Sequence, residues 1–441
     1  MDHADWERAA AVYVPLAAAI IARLLYGRRP RQFAACLLSV LWTLPSLLLL
    51  QRLNEYAGWW SFAAGSEVAF RGMPLELFFG WIILWGLVPQ LALPRIGIIW
   101  CAVVMVALDC IVMPMCSSAI YLKAHWLVGE AAGSGLVLIP ALCIGRWTYE
   151  NTHLRRRAAL QITTSGMLFL FLVPEIIFAL RPGTGWGPLF GLSSWARQIS
   201  LQMILLLAIP GISAVTEFAE RGFGTPIPYD PPQQLVTSGI YRYCANPMQL
   251  SCTLVMATWA GVLRSGWMLL AAGVSVVYSA GIAAWDEEED LARRFGSEWR
   301  DYRSAVRNWW PRWRPYHSGP PALIFIARSC GPCSEVRTWL EARSPLGLQI
   351  VDAETLPAGS IQRMRYEPGY GSGTVDGVRA MGRALEHLHL GWALCGAALR
   401  LPCVWQLVQL FLDAAGLGPR VISCELDMSP QHTDRELSSR P

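Results

Sequence analysis

Two short stretches of the sequence combine residue types that can do chemistry. The first, residues 237–250, reads TSGIYRYCANPMQL and lies between strongly apolar runs. Its tyrosine, arginine and asparagine side chains can bind a carboxylate or stack on a ring, and backbone amides of a Gly-rich turn can bind anions. The second stretch, DEEED at 286–290, supplies carboxylates. Carboxylates can bind an ammonium, a sulfonium or ribose hydroxyls.

The chain between these stretches predicts that they meet in space. Residues 249–264 and 267–285 are apolar, and their short connection predicts a helical hairpin. Both polar stretches then lie at the same end of the hairpin. The residues alone leave two interpretations open. One is a site for a ligand that is polar at one end and apolar at the other. The other is a plain juxtamembrane loop beside a solvated helix start, where acids favour the helix dipole anyway.

A third candidate is the run Cys330-Gly331-Pro332-Cys333. It follows a predicted strand and opens a predicted helix, which is the layout of a redox-active CxxC. The helix N-terminus favours the thiolate of Cys330 as nucleophile, and Cys333 would resolve the mixed disulfide. Zinc would need two further ligands, and His387 and His389 point to different faces of a predicted helix. Redox chemistry is therefore the prediction, with no metal; zinc and an inert pair are the alternatives.

The composition indicates an integral membrane protein. The 441 residues are 54% hydrophobic and only 15% charged, against about 25% charged in soluble domains. The 21 tryptophans suit interfacial aromatic belts. The net charge of +4 gives no reason to expect a nucleic-acid partner. Most of the 12 cysteines stand singly in apolar runs, as small packing residues do.

Nine apolar stretches come near the length of a bilayer span. They are 9–26, 33–50, 75–93, 96–115, 132–147, 162–180, 199–216, 249–264 and 267–285. With nine spans, the arginine clusters at 28–31 and 155–157 fall on one side, which the positive-inside rule makes cytoplasmic. The prediction is a multi-pass protein of the cytoplasmic (inner) membrane, with the N-terminus outside and the C-terminal domain in the cytoplasm. Asp109 and Glu175 lie inside these stretches, and packing contacts are favoured over function for both.

The C-terminal third reads as a soluble α/β domain. A linker at 317–321 precedes a strand at 322–327, a helix at 334–343 and a strand at 348–353. Helices at 376–390 and 402–415 are interrupted by Arg, Pro and Asp, so they are predicted to pack in a soluble core. The polar tail at 425–441 is predicted to be disordered.

The pattern TPxPxDPPxxLVxxGxYRYxxNPM, two apolar runs and EExxLxxxFGxxWxxYxxxV resembles the isoprenylcysteine carboxyl methyltransferase family. That family is similar to the phospholipid N-methyltransferases, and the resemblance covers about 199–312. It implies S-adenosylmethionine as cofactor, direct displacement at the sulfonium methyl, and a lipophilic substrate that enters from the bilayer. If the acceptor is an amine or hydroxyl rather than a carboxylate, Glu288 is the candidate general base.

The family's cofactor motif, G-x-Y-R-Y-x-R-H-P followed by E-E, carries over onto a defined set of positions. The implied cofactor-binding residues are Gly239, Tyr241, Arg242, Tyr243, Asn246, Pro247, Glu287 and Glu288. Ala245 and Asn246 stand where the family has Arg-His, and Gln249 replaces a common Tyr. Asn246 can still hydrogen-bond a cofactor. The missing arginine leaves the identity of the substrate open.

Residues 321–424 resemble the DCC-type, thioredoxin-like thiol-disulfide oxidoreductases. The resemblance is carried by the CxxC, by VDGVRAMGRAL at 375–385 and by the later LGWALC and RLP segments. It implies a thiol or disulfide protein as partner. Where the family has Asp-Gly before the first cysteine, this chain has Ala327 and Arg328, and Arg328 is predicted to stabilise a thiolate at Cys330.

The predicted fold is a multi-pass α-helical membrane protein of about nine transmembrane helices with a C-terminal α/β thioredoxin-like domain. The predicted domains are 1–198, of unknown role, 199–316, methyltransferase-like, 317–424, thioredoxin-like, and a tail at 425–441. The leading function is a membrane methyltransferase fused to a redox domain. The alternative is a membrane-anchored thiol oxidoreductase whose methyltransferase-like half is non-catalytic. A reductase using NADPH is weaker, because no GxGxxG lies between a strand and a helix.

Overall fold

The computed structural model describes residues 3–27, 30–63, 68–225, 230–357, 359–369 and 373–419, with the backbone alone at 30 and 282–287. The chain forms two compact units, Met1–Trp310 and Pro311–Pro441. The predicted tail at 425–441 lies outside the described residues. The predicted domain boundaries therefore stay predictions.

Seven helices of the first unit are long and apolar enough to cross a membrane. They are α1 (His3–Tyr26), α2 (Arg31–Ala57), α3 (Leu75–Ala92), α4 (Ile98–Met115), α5 (Trp126–Glu150), α6 (Leu154–Leu180) and α7 (Ser194–Gly222). Each overlaps one of the first seven predicted spans. Short strands lie between them: β1 (Trp60–Phe62), β2 (Ala69–Phe70), β3 (Met73–Pro74) and β4 (Ile120–Leu122). Strand β1 pairs with β4 and β2 with β3, both antiparallel.

The eighth and ninth predicted spans are helices, but short ones. Helix α8 (Pro247–Val262) has 16 residues, and α9 (Gly266–Tyr278) has 13 before a π-helical segment that ends at Ala283. A straight span needs about 20 residues. The proline at the start of α8 and the turn at Arg264, whose φ is +50°, set these limits. The structure therefore supports seven candidate spans rather than nine in the described first unit. Helix α10 (Ala284–Ala305) follows.

Helix α2 lies at the centre of the first unit. Two of its side chains donate hydrogen bonds to backbone carbonyls of α5. The Ser39 hydroxyl donates to the carbonyl of Ala141 at 2.9 Å, and Trp42 Nε1 donates to the carbonyl of Leu136 at 3.1 Å. All four residues come from long apolar helices. Polar groups in such helices stay inside the bundle, because bilayer lipid offers them no partner.

Glu175 of α6 is wholly buried and joins three separate segments. Its carboxylate accepts from Arg52 of α2 at 3.0 Å, from Arg71 Nε at 2.8 Å and from Trp186 Nε1 at 2.8 Å. The arrangement is that of a packing contact, in agreement with the interpretation that the sequence favoured for this acid.

Replacing Glu175 by Gln should destabilise the first unit by about 3 kcal/mol, because two partly buried arginines lose their shared counter-charge. Thermal unfolding in detergent would measure this. Glu55, the exposed partner of Arg52, is the matched control, and Glu55→Gln should cost less than about 1 kcal/mol. Equal losses in the two variants would contradict a structural role for the Glu175 junction.

The second unit contains a four-stranded sheet of order β6-β5-β7-β8. Its strands are β5 (Ala322–Ile326), β6 (Leu348–Asp352), β7 (Arg365–Glu367) and β8 (Val375–Asp376). Strand β5 is parallel to β6 and antiparallel to β7, and β7 is antiparallel to β8. Helix α11 (Gly331–Glu341) connects β5 to β6 and buries Leu340 against the sheet. The predicted strand–helix–strand order is thus observed.

The later helices of the second unit differ from the prediction. The observed helices are α12 (Val378–Leu385), α13 (Leu390–Leu399) and α14 (Val404–Leu412), with a π-helical extension of α14 to Leu417. Helices α13 and α14 meet at 85°, and the pair is apolar enough to be a broken span. Leu407, Leu410 and Phe411 of α14 are exposed. The expectation that 402–415 packs in a soluble core is therefore wrong for this face of α14.

Candidate functional site

The loop between α7 and α8 is shaped around a buried carboxylate. A short 3-10 turn, Gly239–Arg242, begins at a glycine with φ of +62°. A Cβ at Gly239 would stand 3.0 Å from Cδ of Glu217, which is wholly buried on α7. Ser238 Oγ donates to Glu217 Oε1 at 2.5 Å. Glycine is therefore required at 239 both by the backbone conformation and by the close approach of Glu217.

Gly239→Ala is expected to destabilise the first unit by about 2 kcal/mol, because it adds left-handed strain and displaces a buried carboxylate. Gly261 of α8 is the control, since nothing lies within 4 Å of a Cβ built there. Gly261→Ala should be neutral or slightly stabilising, as helix propensity favours alanine. Thermal unfolding of both variants measures the difference, and a neutral Gly239→Ala would contradict this account of the loop.

The predicted cofactor residues of the loop are buried rather than solvated. Tyr241, Arg242 and Tyr243 are each at most 9% exposed. The ring of Tyr241 packs against Phe218 of α7, with 6.3 Å between ring centroids. The second interpretation left open by the sequence was a plain juxtamembrane loop. The burial of these side chains shows that the loop is packed, and its assignment to a cofactor site stays a prediction. The loop is an integral part of the protein interior.

The end of α10 and the chain after it hold the loop in place. Tyr302 donates its hydroxyl to the carbonyl of Tyr241 at 2.9 Å. The amide of Ala245 donates to the carbonyl of Arg307 at 3.0 Å, and Asn308 accepts from the amide of Asn246 at 3.3 Å. The α10 backbone is broken at Gly296, with φ 56° and ψ −121°. These hydrogen bonds join the loop to the C-terminal part of α10 and to residues 307–308. The predicted proximity of the loop to the DEEED stretch at 286–290 stays a prediction.

Cys244, inside the loop, is a buried thiol. Burial raises its pKa to about 11, against smaller opposing effects of a backbone hydrogen bond and Arg303. Its Sγ donates to the carbonyl of Asn308 at 2.9 Å. The neutral thiol thus acts as a packing and hydrogen-bonding group of the loop.

Helix α8 begins where the chain departs from the family motif. Asn246 occupies the cap position and Pro247 the first turn, where a proline's missing N–H costs nothing. Asn246 Nδ2 donates to Gln249 Oε1 at 3.3 Å. Two of the three residues that depart from the family motif are therefore hydrogen-bonded to each other.

The acidic half of the predicted site is less enclosed. Glu288 is exposed on α10, and the side chain of Glu287 lies outside the described residues. Their assignment to a cofactor site stays a prediction. Sequence reasoning missed Glu217 as the group behind Gly239. Its only signal was a charged residue near the end of an otherwise apolar helix.

The segment before the loop is tied to two helices. Asp230 forms an ion pair with Arg157 of α6 and accepts from Thr225 Oγ1 at 2.9 Å. Arg294 of α10 donates to the carbonyl of Pro232. These contacts give the Thr and Asp of the TPxPxDPP pattern a structural function, since they fix the chain that enters the loop.

The CxxC lies at the N-terminus of α11, with Cys330 at the cap position. Both cysteines are half-buried and pack against a cluster that includes Phe325 and Ile361. This is the position predicted from the sequence. It brings both thiols to the carboxyl end of β5.

Two acids that sequence reasoning missed lie beside the CxxC. Asp352 Oδ1 pairs with Arg328 Nε at 3.1 Å and also with Arg337. Glu354 Oε1 accepts from the Ser329 amide at 3.0 Å and from its hydroxyl at 2.9 Å. The signal was available, because β6 is the parallel neighbour of β5, so the residues that follow both strands share one edge. Arg328, which was predicted to stabilise a thiolate at Cys330, forms an ion pair with Asp352. Its effect on Cys330 stays a prediction.

Hydrogen bonding also sets the charge state of Glu354. Burial opposes ionisation of this carboxyl, yet hydrogen bonds from Ser329 and from nearby backbone amides together outweigh it and lower the pKa of Glu354. Glu354 is therefore a carboxylate at neutral pH. It anchors the residue immediately before Cys330.

The two histidines considered as zinc ligands have separate environments. His387 is buried and hydrogen-bonded to Tyr366 at 3.0 Å and to the carbonyl of Leu346 at 2.8 Å. His389 stacks on Trp313, with 4.6 Å between ring centroids. Across the residues that the structure describes, no group of three or more His, Cys, Asp or Glu is arranged to hold a metal ion. The absence of a metal site stays a prediction.

One segment of the chain matches the model of a known protein family. The family model for phospholipid methyltransferases matches residues 199–298, which is less than half of the chain. A search of curated proteins and a search of solved structures each returned no significant match. The matched segment contains most of α7, the buried loop, α8, α9 and the first part of α10. Residues 199–298 therefore match a family of membrane-bound methyltransferases.

Proposed function

We propose that the protein is an integral membrane methyltransferase that uses S-adenosylmethionine to methylate a lipophilic acceptor. The observation that carries the proposal is the family match at 199–298, which spans the loop built around Tyr241, Arg242 and Tyr243. The seven apolar helices agree with an acceptor that enters from the bilayer.

The residues of the loop suit the charges of the cofactor. S-adenosylmethionine, when bound, supplies an electrophilic methyl group on a sulfonium, and it carries a carboxylate. Arg242 brings a positive charge into a buried loop, and α8 brings the N-terminus of a 16-residue helix. Both favour an anionic group. We assign cofactor contacts to Arg242 and Asn246, with Gly239, Tyr241, Tyr243 and Pro247 forming the wall that excludes water.

The acids of α10 would serve the other end of the cofactor or the acceptor. Glu287 and Glu288 are proposed to bind ribose hydroxyls or the sulfonium. A carboxylate acceptor needs no general base, whereas an amine or hydroxyl acceptor would pass its proton to Glu288. The loop's main contribution to the rate would be alignment of donor and acceptor in a water-poor pocket.

The proposed location is the cytoplasmic (inner) membrane, with the N-terminus outside and the second unit in the cytoplasm. The arginine clusters at 28–31 and 155–157 follow α1 and α5, so an even number of helices separates them. Helices α8 and α9 form a pair. Whether both cross or neither crosses, the chain after them stays on the side where α7 ends. With seven spans as with nine, the positive-inside rule therefore gives the same orientation.

The proposal is tested by giving the purified protein S-adenosylmethionine with a labelled methyl group and a lipid extract. Label is expected in an organic-phase product, whose identification by mass spectrometry names the acceptor. Isothermal titration in parallel measures cofactor binding. No detectable binding at millimolar cofactor would overturn the methyltransferase function and leave the non-catalytic alternative.

A second activity, thiol-disulfide exchange, is supported by one observation of the second unit. The CxxC opens α11 directly after the central strand β5 of a four-stranded sheet. That arrangement favours a thioredoxin-like domain, with Cys330 as nucleophile and Cys333 as resolving thiol. A protein with an accessible disulfide or thiol is the proposed partner. Insulin reduction by the purified protein is the assay, and complete inactivity with every common reductant would overturn this function.

A further inference from the structure

The interior of the first unit contains a small cavity, remote in sequence from the matched segment. Its volume is about 20 Å³, enough for one water molecule. Residues from α2, α3, α4, α5 and the short strands line it. The polar and aromatic ones are Gln51, Trp60, Trp81, Trp85 and Glu130. An aromatic cavity with a carboxyl in its wall is an unusual feature for the core of a membrane bundle.

Glu130 is the residue that gives this cavity its chemistry. Its side chain lies on α5 in the cavity wall and is only 4% exposed. Its Oε1 atom has no hydrogen-bond partner among the described residues. A buried, unsatisfied polar atom is costly, and one that borders a water-sized cavity implies a ligand there.

A second buried carboxyl interacts electrostatically with the first. Asp109 of α4 is 3% exposed, and its Oδ2 accepts from Trp85 Nε1 at 2.5 Å. Trp81 also donates to Asp109. Asp109 and Glu130 interact electrostatically, and the Cys110 thiol interacts with both. We call Asp109 and Glu130 the acid pair.

Among the described residues, those that line the cavity bring no positive charge to the acid pair. None of the residues lining the cavity is Arg, Lys or His. Glu175, which is equally buried, lies between Arg52 and Arg71, which balance its charge. Two buried carboxylates that repel each other, with no positive charge among the described residues of the cavity wall, cannot both stay ionised in a low-dielectric interior. One of them binds a proton instead. The missing ligand of the site is therefore a proton.

We propose that the acid pair is an intramembrane proton-binding site, in which Glu130 exchanges one proton with a single water molecule held in the cavity. In this step a hydronium ion gives its proton to the Glu130 carboxylate and is left as water, and the reverse step releases it. Asp109 accepts hydrogen bonds from the N–H groups of two tryptophans. Its negative charge favours the protonated form of Glu130. The site is independent of the proposed methyl transfer.

Infrared difference spectroscopy of the full-length protein in lipid bilayers tests this. The wild-type-minus-Glu130→Gln spectrum at neutral pH is expected to contain the carbonyl band of a protonated carboxylic acid. Exchange into D₂O should shift that band within minutes, since the cavity water carries the proton. A difference spectrum with ionised-carboxylate bands alone would overturn the proposal, and a band that D₂O leaves unmoved would overturn the exchange with water.

Two further variants make the result specific. Glu150→Gln, at the exposed end of the same helix, should remove only ionised-carboxylate bands. Asp109→Asn should shift the Glu130 carbonyl band, because its neighbour in the pair has changed; an unshifted band would overturn the pairing. Size-exclusion profile and thermal unfolding of each variant are compared with wild type, and Asp109→Glu, which keeps the carboxyl, replaces Asp109→Asn if that variant does not fold. With Asp109→Glu the protonated band should persist, and its disappearance would overturn the role of Asp109.

Discussion

Arg242→Ala is expected to weaken S-adenosylmethionine binding by about 10- to 100-fold. A hydrogen bond to a charged group is worth about 1.5–3 kcal/mol, and each 1.4 kcal/mol changes a dissociation constant about tenfold. The arginine is buried in a loop held on two sides by α7 and by residues 302–308. Water cannot replace its charge at low cost there. Isothermal titration with the cofactor measures the change.

The matched control for Arg242 is Arg300, an exposed arginine of α10. Arg300→Ala should leave cofactor affinity within about twofold, since an exposed charge acts weakly through water. Thermal unfolding of both variants without cofactor separates loss of the site from loss of the fold. An Arg242→Ala protein that is folded and binds as wild type would remove this loop from the cofactor site, even if methyl transfer itself is found.

Cys330→Ser is expected to abolish thiol-disulfide exchange, a loss of at least about a thousandfold, because serine at neutral pH is not ionised and cannot attack a disulfide. Cys333→Ser should instead trap a mixed disulfide at Cys330, visible as a mass increase that dithiothreitol reverses. Insulin reduction measures turnover, and intact-protein mass spectrometry measures the trapped species.

The control for Cys330 is Cys403, an exposed cysteine of the same unit that lies outside the CxxC. Cys403→Ser should keep full activity. Retention of full insulin-reducing activity by Cys330→Ser would rule out the CxxC as the redox centre. Because methyl transfer is assigned to the first unit, Cys330→Ser should leave any methylation of lipid unchanged, which distinguishes the two proposed functions.

The long helices were predictable from composition, whereas their limits were not. A run of about 20 apolar residues has few alternatives to a span, so α1 to α7 follow from hydropathy. Helices α8 and α9 look the same on that scale. Their lengths depend on a turn at Arg264 with positive φ and on a proline start, and hydropathy does not register either. The same limitation applies to α13 and α14, whose 85° bend depends on the backbone near Cys403.

In the candidate site, some residues could be identified from sequence motifs, whereas others become apparent only from their packing in the structure. Gly239, Tyr241 and Arg242 were singled out by the resemblance to a family motif, and their assignment to a cofactor site stays a prediction. Glu217 could not be predicted as part of the site, because an acid on a helix carries no information about the loop that folds over it. Asp352 ends strand β6 and Glu354 follows it, so both were predictable in principle from the sheet edge that β5 and β6 share.

The backbone bonds from Ala245 and Asn246 to Arg307 and Asn308 have a practical consequence for dissecting the protein. The family match ends at 298, yet the loop depends on atoms ten residues further along the chain. A truncation that removes the second unit keeps this brace if it stops after Trp310, and loses it if it stops at the family boundary. A fragment designed to test the proposed methyl transfer should therefore extend past Asn308, so that it keeps both amide hydrogen bonds.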